Sequence, residues 1–433
     1  MDTRVSAPLS EVPETPAAAA PAGQSLWLAI YVAVMVGQFS QWVPGLADVP
    51  LAKVAVLITA VFAFRSRATL HAVRLRSLTF VRPALAFMLL AILSIGFSTY
   101  LSMSLAAAYL IVVLLFSYVL VVKITQTERD MRRLLVALCF AAGGLTLGVL
   151  LTYSGGRARI NDNFDSNDLA YGMVTLLPII RAVRITATRG RLILQGLSVA
   201  AIIAILLTGS RGGAIGLGVV MILLVAFPIA FTKTGELKPF RLGRFVVALV
   251  LIAAAGAALW DYLPQESRER MATLLDLGND YNAGDSTASR SAIWLRNSAA
   301  VLSRPIGYGL GTSEYVDGLS GGAYRALHNS FVESFVELGV LGLVLFCASY
   351  WVAIRQLGRI SALGRGTAPS GDTAKACVYA RALRIALVGS AVSGFFLSQS
   401  YSELLWTLMA ICAALVRITL PAPTGAATPQ ART

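Results

Sequence analysis

Arg325-Ala326-Leu327-His328-Asn329-Ser330-Phe331-Val332-Glu333 is a short polar segment at the mouth of a long apolar run, residues 329–350. A run of that length suffices to cross a bilayer, which takes about 20 apolar residues. Similar runs recur from end to end of the 433-residue chain. They lie near 25–43, 50–64, 83–101, 105–122, 134–153, 168–182, 192–208, 213–231, 245–260, 329–350, 382–398 and 403–416. The chain is 57% hydrophobic and 13% charged, with mean hydropathy +0.72; soluble domains carry nearer a quarter charged residues. The expected fold is an all-α integral membrane protein with about 12 transmembrane helices.

The net charge is +14. On a soluble protein this would point to nucleic acid. Here it follows from cytoplasmic loops that collect Lys and Arg, and no nucleic-acid partner is expected. If the first segment runs outward, every second loop should be basic, and it is. Loop 65–82 carries five arginines, and the loops near 123–133, 181–191, 233–244 and 355–384 carry at least four Lys or Arg each. Both termini are therefore expected in the cytoplasm. The reading divides the chain into a disordered tail over 1–24, nine transmembrane helices over 25–260, a periplasmic loop with short helices over 261–327, three more transmembrane helices over 328–418, and a second disordered tail over 419–433.

The loops placed outside hold arginines but no lysine: Arg157, Arg159, Arg211, Arg268, Arg270, Arg290, Arg296, Arg304 and Arg325. Arg presents a planar fork that grips phosphate oxygens in pairs, whereas Lys acts as a point charge. Arginines on the side where the topology rule disfavours them suggest a phosphate-bearing ligand. Cys139, Cys347 and Cys412 lie in apolar runs and Cys377 in a basic loop, so no disulfide framework is expected.

Four outer motifs carry polar chemistry. Thr208-Gly209-Ser210-Arg211-Gly212-Gly213 is a tight turn whose glycines admit close approach and whose following helix start favours anions. Asn161-Asp162-Asn163-Phe164-Asp165-Ser166-Asn167-Asp168-Leu169 opens the sixth segment; Asn167 or Asp168 is expected to cap a helix starting at Leu169, in preference to the three aspartates binding a metal. Residues 287–302 read as a helix capped by Ser286 or Thr287, with Arg290 and Trp294 one turn apart, ended by Pro305, Gly307, Gly309 and Gly311. Finally, His328 precedes a helix that Asn329 or Ser330 would cap. It is the one histidine placed outside, beside Arg325 and the intramembrane carboxylates Glu333 and Glu337; ionisable groups at that depth are costly and usually functional.

Together these motifs resemble the O-antigen ligase/polymerase superfamily, over roughly residues 150–345. The carriers are Gly-Ser-Arg-Gly-Gly at 209–213, Asn-Asp-Leu-Ala at 167–170, Ser289-Arg290 with Trp294, Pro305, Gly307 and Gly309, and Leu-His-Asn-Ser-Phe at 327–331 followed by Glu-Leu-Gly at 337–339. Ser166 stands where the family often has Pro. The resemblance implies a GT-C-like membrane glycosyltransferase that moves a glycan from undecaprenyl diphosphate to an acceptor hydroxyl at the periplasmic face of the bacterial inner membrane, with inversion, without metal and without a cofactor. It implies His328 as general base and Arg211, with Arg159 and Arg290, on the diphosphate. Arg325, Asn329, Glu333, Asn167 and Trp294 are the supporting residues. One dominant outer loop favours a ligase acting on the lipid A core. The alternatives are an O-antigen or exopolysaccharide polymerase, a protein O-oligosaccharyltransferase and, outside the class, a lipid-linked glycan transporter.

Overall fold

Each apolar run becomes a helix, because a chain with few polar side chains satisfies its backbone most locally through i to i−4 hydrogen bonds. The computed structural model describes residues 22–43, 45–46, 49–65, 75, 78–153, 157–160, 164–187, 189–232, 234–262, 265–272, 289–365, 369 and 371–420. Residues 1–21 and 421–433 of the expected tails, Asp162, Ser286 and Thr287 lie outside the described residues, whereas Ala22–Gln24, expected in the first tail, already belong to the first helix, and Thr419 ends the last. Among the described residues the α-helices of seven residues or more are α1 Ala22–Gly37, α2 Leu51–Arg65, α3 Arg82–Ser94, α4 Leu101–Ile124, α5 Glu128–Thr152, α6 Ser166–Thr186, α7 Arg191–Leu207, α8 Arg211–Ala226, α9 Leu242–Leu259, α10 Gln265–Ala272, α11 Arg290–Ser303, α12 Ser313–Leu319, α13 Ser330–Ala362, α14 Gly371–Gly394 and α15 Glu403–Thr419. Among the described residues there is no strand, only an isolated bridge between Phe231 and Leu237.

The twelve apolar runs overlap α1 to α9 and α13 to α15, but α14 begins at Gly371, well before its run, so Cys377, expected in a loop, is buried in a helix. Six of these helices are long and apolar enough to cross a membrane: α4, α5, α6, α13, α14, and α3 with its short flanking turns. The chain is a multi-pass membrane protein. Large apolar side chains are exposed along the outer faces, among them Leu57 on α2, Leu93 on α3, Phe140 and Leu150 on α5, and Val340 and Trp351 on α13. In water such a belt would be an aggregation surface; against acyl chains it is the solvated face. The centre is formed by α6 and α14, which pack on each other and are the most enclosed of the spanning helices. An aromatic cluster of Phe87, Phe346 and Trp406 ties α3, α13 and α15 together, with ring centroids 5.1 to 6.4 Å apart.

Hydrogen bonds sort the connecting segments into two ends. At the basic end, Lys375 pairs with Glu128 at 3.2 Å, Arg381 donates to the carbonyls of Pro228 and Lys238, the Leu237 amide donates to Gly364, and Arg417 donates to Thr125. At the opposite end, the Thr99 amide donates to Tyr308, Arg157 to Thr208, Arg290 to Phe396, and Gln399 to Asp168. Segments read as lying on one side thus bond to one another.

The 33-residue α13 is broken at Gly339 (φ 67°, ψ −164°), a backbone region that is essentially glycine's alone. The turn after α11 fills the break. Tyr308 and Gly309 amides donate to the Val336 and Glu337 carbonyls at 3.0 and 2.8 Å, and the Val340 amide donates to Pro305 at 3.1 Å. Irregular backbone at membrane depth persists where protein resatisfies it, and here the Pro305–Gly311 turn supplies the partners. Gly307, Gly309 and Gly311, expected to end the helix and turn the chain, also let the turn's backbone touch that of α13.

Candidate functional site

The start of α13 positions the histidine. Asn329 is the N-cap: its Oδ1 accepts from the Phe331 and Val332 amides at 2.9 and 3.1 Å. His328, one residue earlier and half-buried, has φ 47°. A left-handed conformation costs a non-glycine residue roughly 1–2 kcal/mol, although His is among the types enriched there. Such strain persists only where neighbours enforce it. Trp294 Nε1 donates to the Leu327 carbonyl at 2.7 Å, and its ring meets Phe395 edge-on with centroids 5.2 Å apart. Trp294 therefore fixes the residue before His328.

A second anchor was not read from the sequence. Asp317 on α12 is fully buried. It pairs with Arg296, accepts from Asn297 Nδ2 at 3.0 Å, and accepts from the Arg325 amide at 3.1 Å. Burial pushes its carboxyl up, but hydrogen bonds from Arg296, the Arg325 amide and Asn297 outweigh that and hold it below the ordinary carboxylate value. The stretch from Arg325 to His328 is thus pinned at both ends.

The intramembrane carboxylates have separate partners. Glu337 accepts from the Gly311 and Ser313 amides at 2.8 and 3.2 Å, one on each oxygen, and so staples the turn that fills the α13 break. Glu333 accepts from the amide and hydroxyl of Ser400.

The helix expected over 287–302 begins instead at Arg290, and Ser289 caps it through the Ala292 amide at 3.2 Å. The sixth apolar run is also capped earlier than expected. Asp165, not Asn167 or Asp168, is the N-cap, taking the Asn167 and Asp168 amides at 2.6 and 3.0 Å; Asp168 answers to the Asp165 amide, forming a capping box around a helix that starts at Ser166. The Asn167 side chain folds onto Asp165 at 3.1 Å.

At the glycine turn, Ser210 Oγ caps α8 through the Gly213 amide at 3.2 Å, and Arg211 is its first residue, half-buried. Gly209 has φ 60° and abuts Ser267 of α10. Of the two preceding arginines, Arg157 is the one on this turn, with Nε 2.9 Å from the Thr208 carbonyl; Arg159 is exposed, and its carbonyl accepts from Thr152.

These parts meet on residues 395–402, the connection between α14 and α15. The Phe396 carbonyl accepts from Arg290 at 3.3 Å, and a Cβ on Gly212 would lie 2.7 Å from Phe396 Cβ. Phe395 holds Trp294. Ser330, two residues past the histidine, donates to the Leu397 carbonyl and accepts from the Gln399 amide, at 2.7 and 2.8 Å. Gln399 Nε2 then donates to Asp168 Oδ1 at 2.8 Å. One connection thus gathers the first turns of α6, α8, α11 and α13. Its signal in the sequence was available: by charge alternation, Gln399-Ser400-Tyr401-Ser402 is an outer polar stretch like the others.

Such an assembly offers an imidazole, arginine guanidinium groups and a helix start whose first amides favour anions. Residues 196–347 match the family model described as O-antigen ligase. The matched segment contains Arg211, Arg290, Trp294, Arg325, His328, Asn329 and Glu333, while Arg159 and Asn167 lie before it and residues 395–402 after it. None of the curated proteins compared with the chain matches it.

Proposed function

We propose that this chain, which carries the O-antigen ligase domain of that superfamily over residues 196–347, transfers a glycan from undecaprenyl diphosphate to the lipid A core at the periplasmic face of the inner membrane, with both termini cytoplasmic. The domain supports ligase- or polymerase-type glycan transfer between a lipid-linked donor and an acceptor. The observation that carries the finer reading is the convergence of the His328 segment, Arg290 and the Arg211 helix start on Phe395–Gln399.

In this reading all twelve apolar helices span the membrane, and 261–327 is the periplasmic loop. The acceptor hydroxyl attacks the anomeric carbon, His328 takes its proton, and the bond to the diphosphate oxygen breaks with its electron pair leaving on the diphosphate. An imidazole exchanges its proton near neutral pH, which suits it to serve as the base. Arg211 and Arg290 stabilise the charge that builds on the leaving group, with Arg159 further out and Arg157 on the same turn. Direct displacement inverts the anomeric configuration. Arg325, Asn329 and Trp294 hold the base, Glu333 holds Ser400, and Asn167 supports the cap of α6.

The test is transfer by purified protein in nanodiscs, with an undecaprenyl diphosphate glycan and no ATP or metal. Lipid A core, a second lipid-linked glycan and a Ser/Thr peptide are offered side by side. Glycosylated lipid A core with release of undecaprenyl diphosphate is expected. Product on the second lipid-linked glycan alone makes the protein a polymerase, and no product on any acceptor overturns the reading.

A further inference from the structure

At the basic end of the bundle, α8, α13 and α14 enclose a cavity of about 80 Å³, far below the roughly 300–1,000 Å³ of sites that hold a whole small molecule. Three arginines line it: Arg381 and Arg384 of α14, and Arg365, which follows the end of α13. Arginine is ordinary at one end of a membrane protein. What sets these three apart is burial without a counter-ion. Arg381 is 4% exposed, and its Nη1 donates to the carbonyls of Pro228 and Lys238, both at 2.8 Å. Those partners fix the guanidinium but do not neutralise it. Arg384 is half-buried and lies over Gly358 of α13, where an added Cβ would sit 3.5 Å from its Cζ. Arg365 and Arg384 both lie within electrostatic reach of Arg381. No carboxylate among the described residues pairs with any of the three; Asp372 and Glu128, at the same end, pair with Lys375. Buried charges are ordinarily paired, and three like charges around one cavity repel one another. The arrangement lacks an anion.

The walls say which anion. Along α14, Arg384 and Arg381 lie about one and two turns nearer the basic end than Val388. Arg365 lies beyond the end of α13, while Ile354 is about two turns inside it. The third wall, α8, adds Leu223 and, just past its end, Phe227. The cavity is thus cationic toward the basic end and apolar toward the membrane interior, and Leu223, Phe227, Ile354 and Val388 are each half-buried. A free anion needs only the arginines. A lipid headgroup with its chain needs both parts, in this order. The guanidinium fork matches phosphate oxygens, and basic pockets between membrane helices suit anionic headgroups.

We infer that this cavity binds the phosphate of an anionic phospholipid, held by Arg365, Arg381 and Arg384 with an acyl chain along Leu223 and Val388. The site lies at the end opposite the His328 segment and does not depend on glycan transfer. A phosphate there offsets the repulsion among the arginines and joins α8, α13 and α14 through one ligand.

The test uses the whole protein in nanodiscs of phosphatidylcholine, with and without phosphatidylglycerol, and counts retained lipid by native mass spectrometry. Wild type should retain phosphatidylglycerol in preference to phosphatidylcholine. Arg384→Gln and Arg365→Gln should weaken that retention by roughly tenfold or more, and Arg355→Gln, which removes an exposed arginine of α13 outside the cavity, should stay within about twofold of wild type. Neither cavity variant loses a side-chain hydrogen bond among the described residues. In phosphatidylcholine alone their thermal midpoints should therefore equal or exceed that of wild type, since one of three like charges is gone. Phosphatidylglycerol should raise the wild-type midpoint and leave that of Arg384→Gln unchanged, because a ligand stabilises only the state that binds it. An equal loss of retention in Arg355→Gln would overturn the site, as any basic surface would then suffice. So would midpoints of the cavity variants lowered alike in both lipids, which would make the arginines structural. Inorganic phosphate supplies the anion without chains. If it raises the wild-type midpoint while phosphatidylglycerol is not preferred, the site takes a soluble anion and the lipid assignment falls.

Discussion

Replacing Asp317 by Ala is expected to release the histidine segment without disturbing the membrane core. Asp317 is fully buried, and its removal leaves the Arg296 guanidinium and the Arg325 amide without the acceptor that holds them. Breaking one side of a buried ion pair costs about 3–5 kcal/mol. At about 1.4 kcal/mol per tenfold, that is a roughly 10²- to 10⁴-fold more frequent opening of the segment. Hydrogen exchange read on peptides covering 318–328 should accelerate by at least 100-fold. Peptides from α6 and α14 should keep wild-type rates, and glycan transfer should fall with the loss of order at His328. The pH dependence follows from the carboxyl lying below its ordinary value. A depressed pKa contributes stability that is fully present above the unfolded value, about 3.9 for Asp, and lost as pH falls through the lower folded value. Protection of 318–328 should therefore be flat from pH 7 to 5 and collapse only well below 4. Exchange in Asp317→Ala within about fivefold of wild type, at unchanged activity, would refute the anchoring role.

Further outcomes are expected of other substitutions. Gly339→Ala should lower the thermal midpoint in nanodiscs, because a Cβ there meets the Pro305 carbonyl and the backbone conformation costs another residue about 1–3 kcal/mol; Gly218→Ala, in open space on α8, should be neutral or stabilising. Asp165→Ala should cost about 0.5–2 kcal/mol as the loss of a cap, read as faster exchange confined to the first turn of α6. Arg211→Ala should raise the donor KM at least tenfold and Arg290→Lys should lower kcat at least fivefold, both checked by steady-state transfer kinetics.

Much of the helical framework was legible in the sequence, because each apolar run carries its own reason to be helical and the loop charges alternate. The candidate site was legible where its residues were rare for their surroundings: a histidine outside, an arginine on a glycine turn. What escaped were long-range partnerships. Nothing near Gly339 announces that Pro305–Gly311 will enter the helix there. Asp317 has no local mark of the ion pair with Arg296, and Glu337 looks like a catalytic carboxylate until Gly311 and Ser313 are seen to occupy both its oxygens. The caps shifted for a local reason. Ser289 sits within reach of the Ala292 amide, and Asp165 reaches two amides and gains the reciprocal bond from Asp168, an arrangement that Asn167 in the same chain does not offer.

The central claim is that His328 is the base. His328→Ala, purified in nanodiscs, is to be compared with wild type for the rate of glycan transfer to the acceptor, alongside a binding measurement for the undecaprenyl diphosphate glycan. Loss of general-base catalysis is worth about 10²–10⁴ in rate, so the account predicts a fall of that size with donor binding retained. Transfer by His328→Ala at the wild-type rate would contradict it.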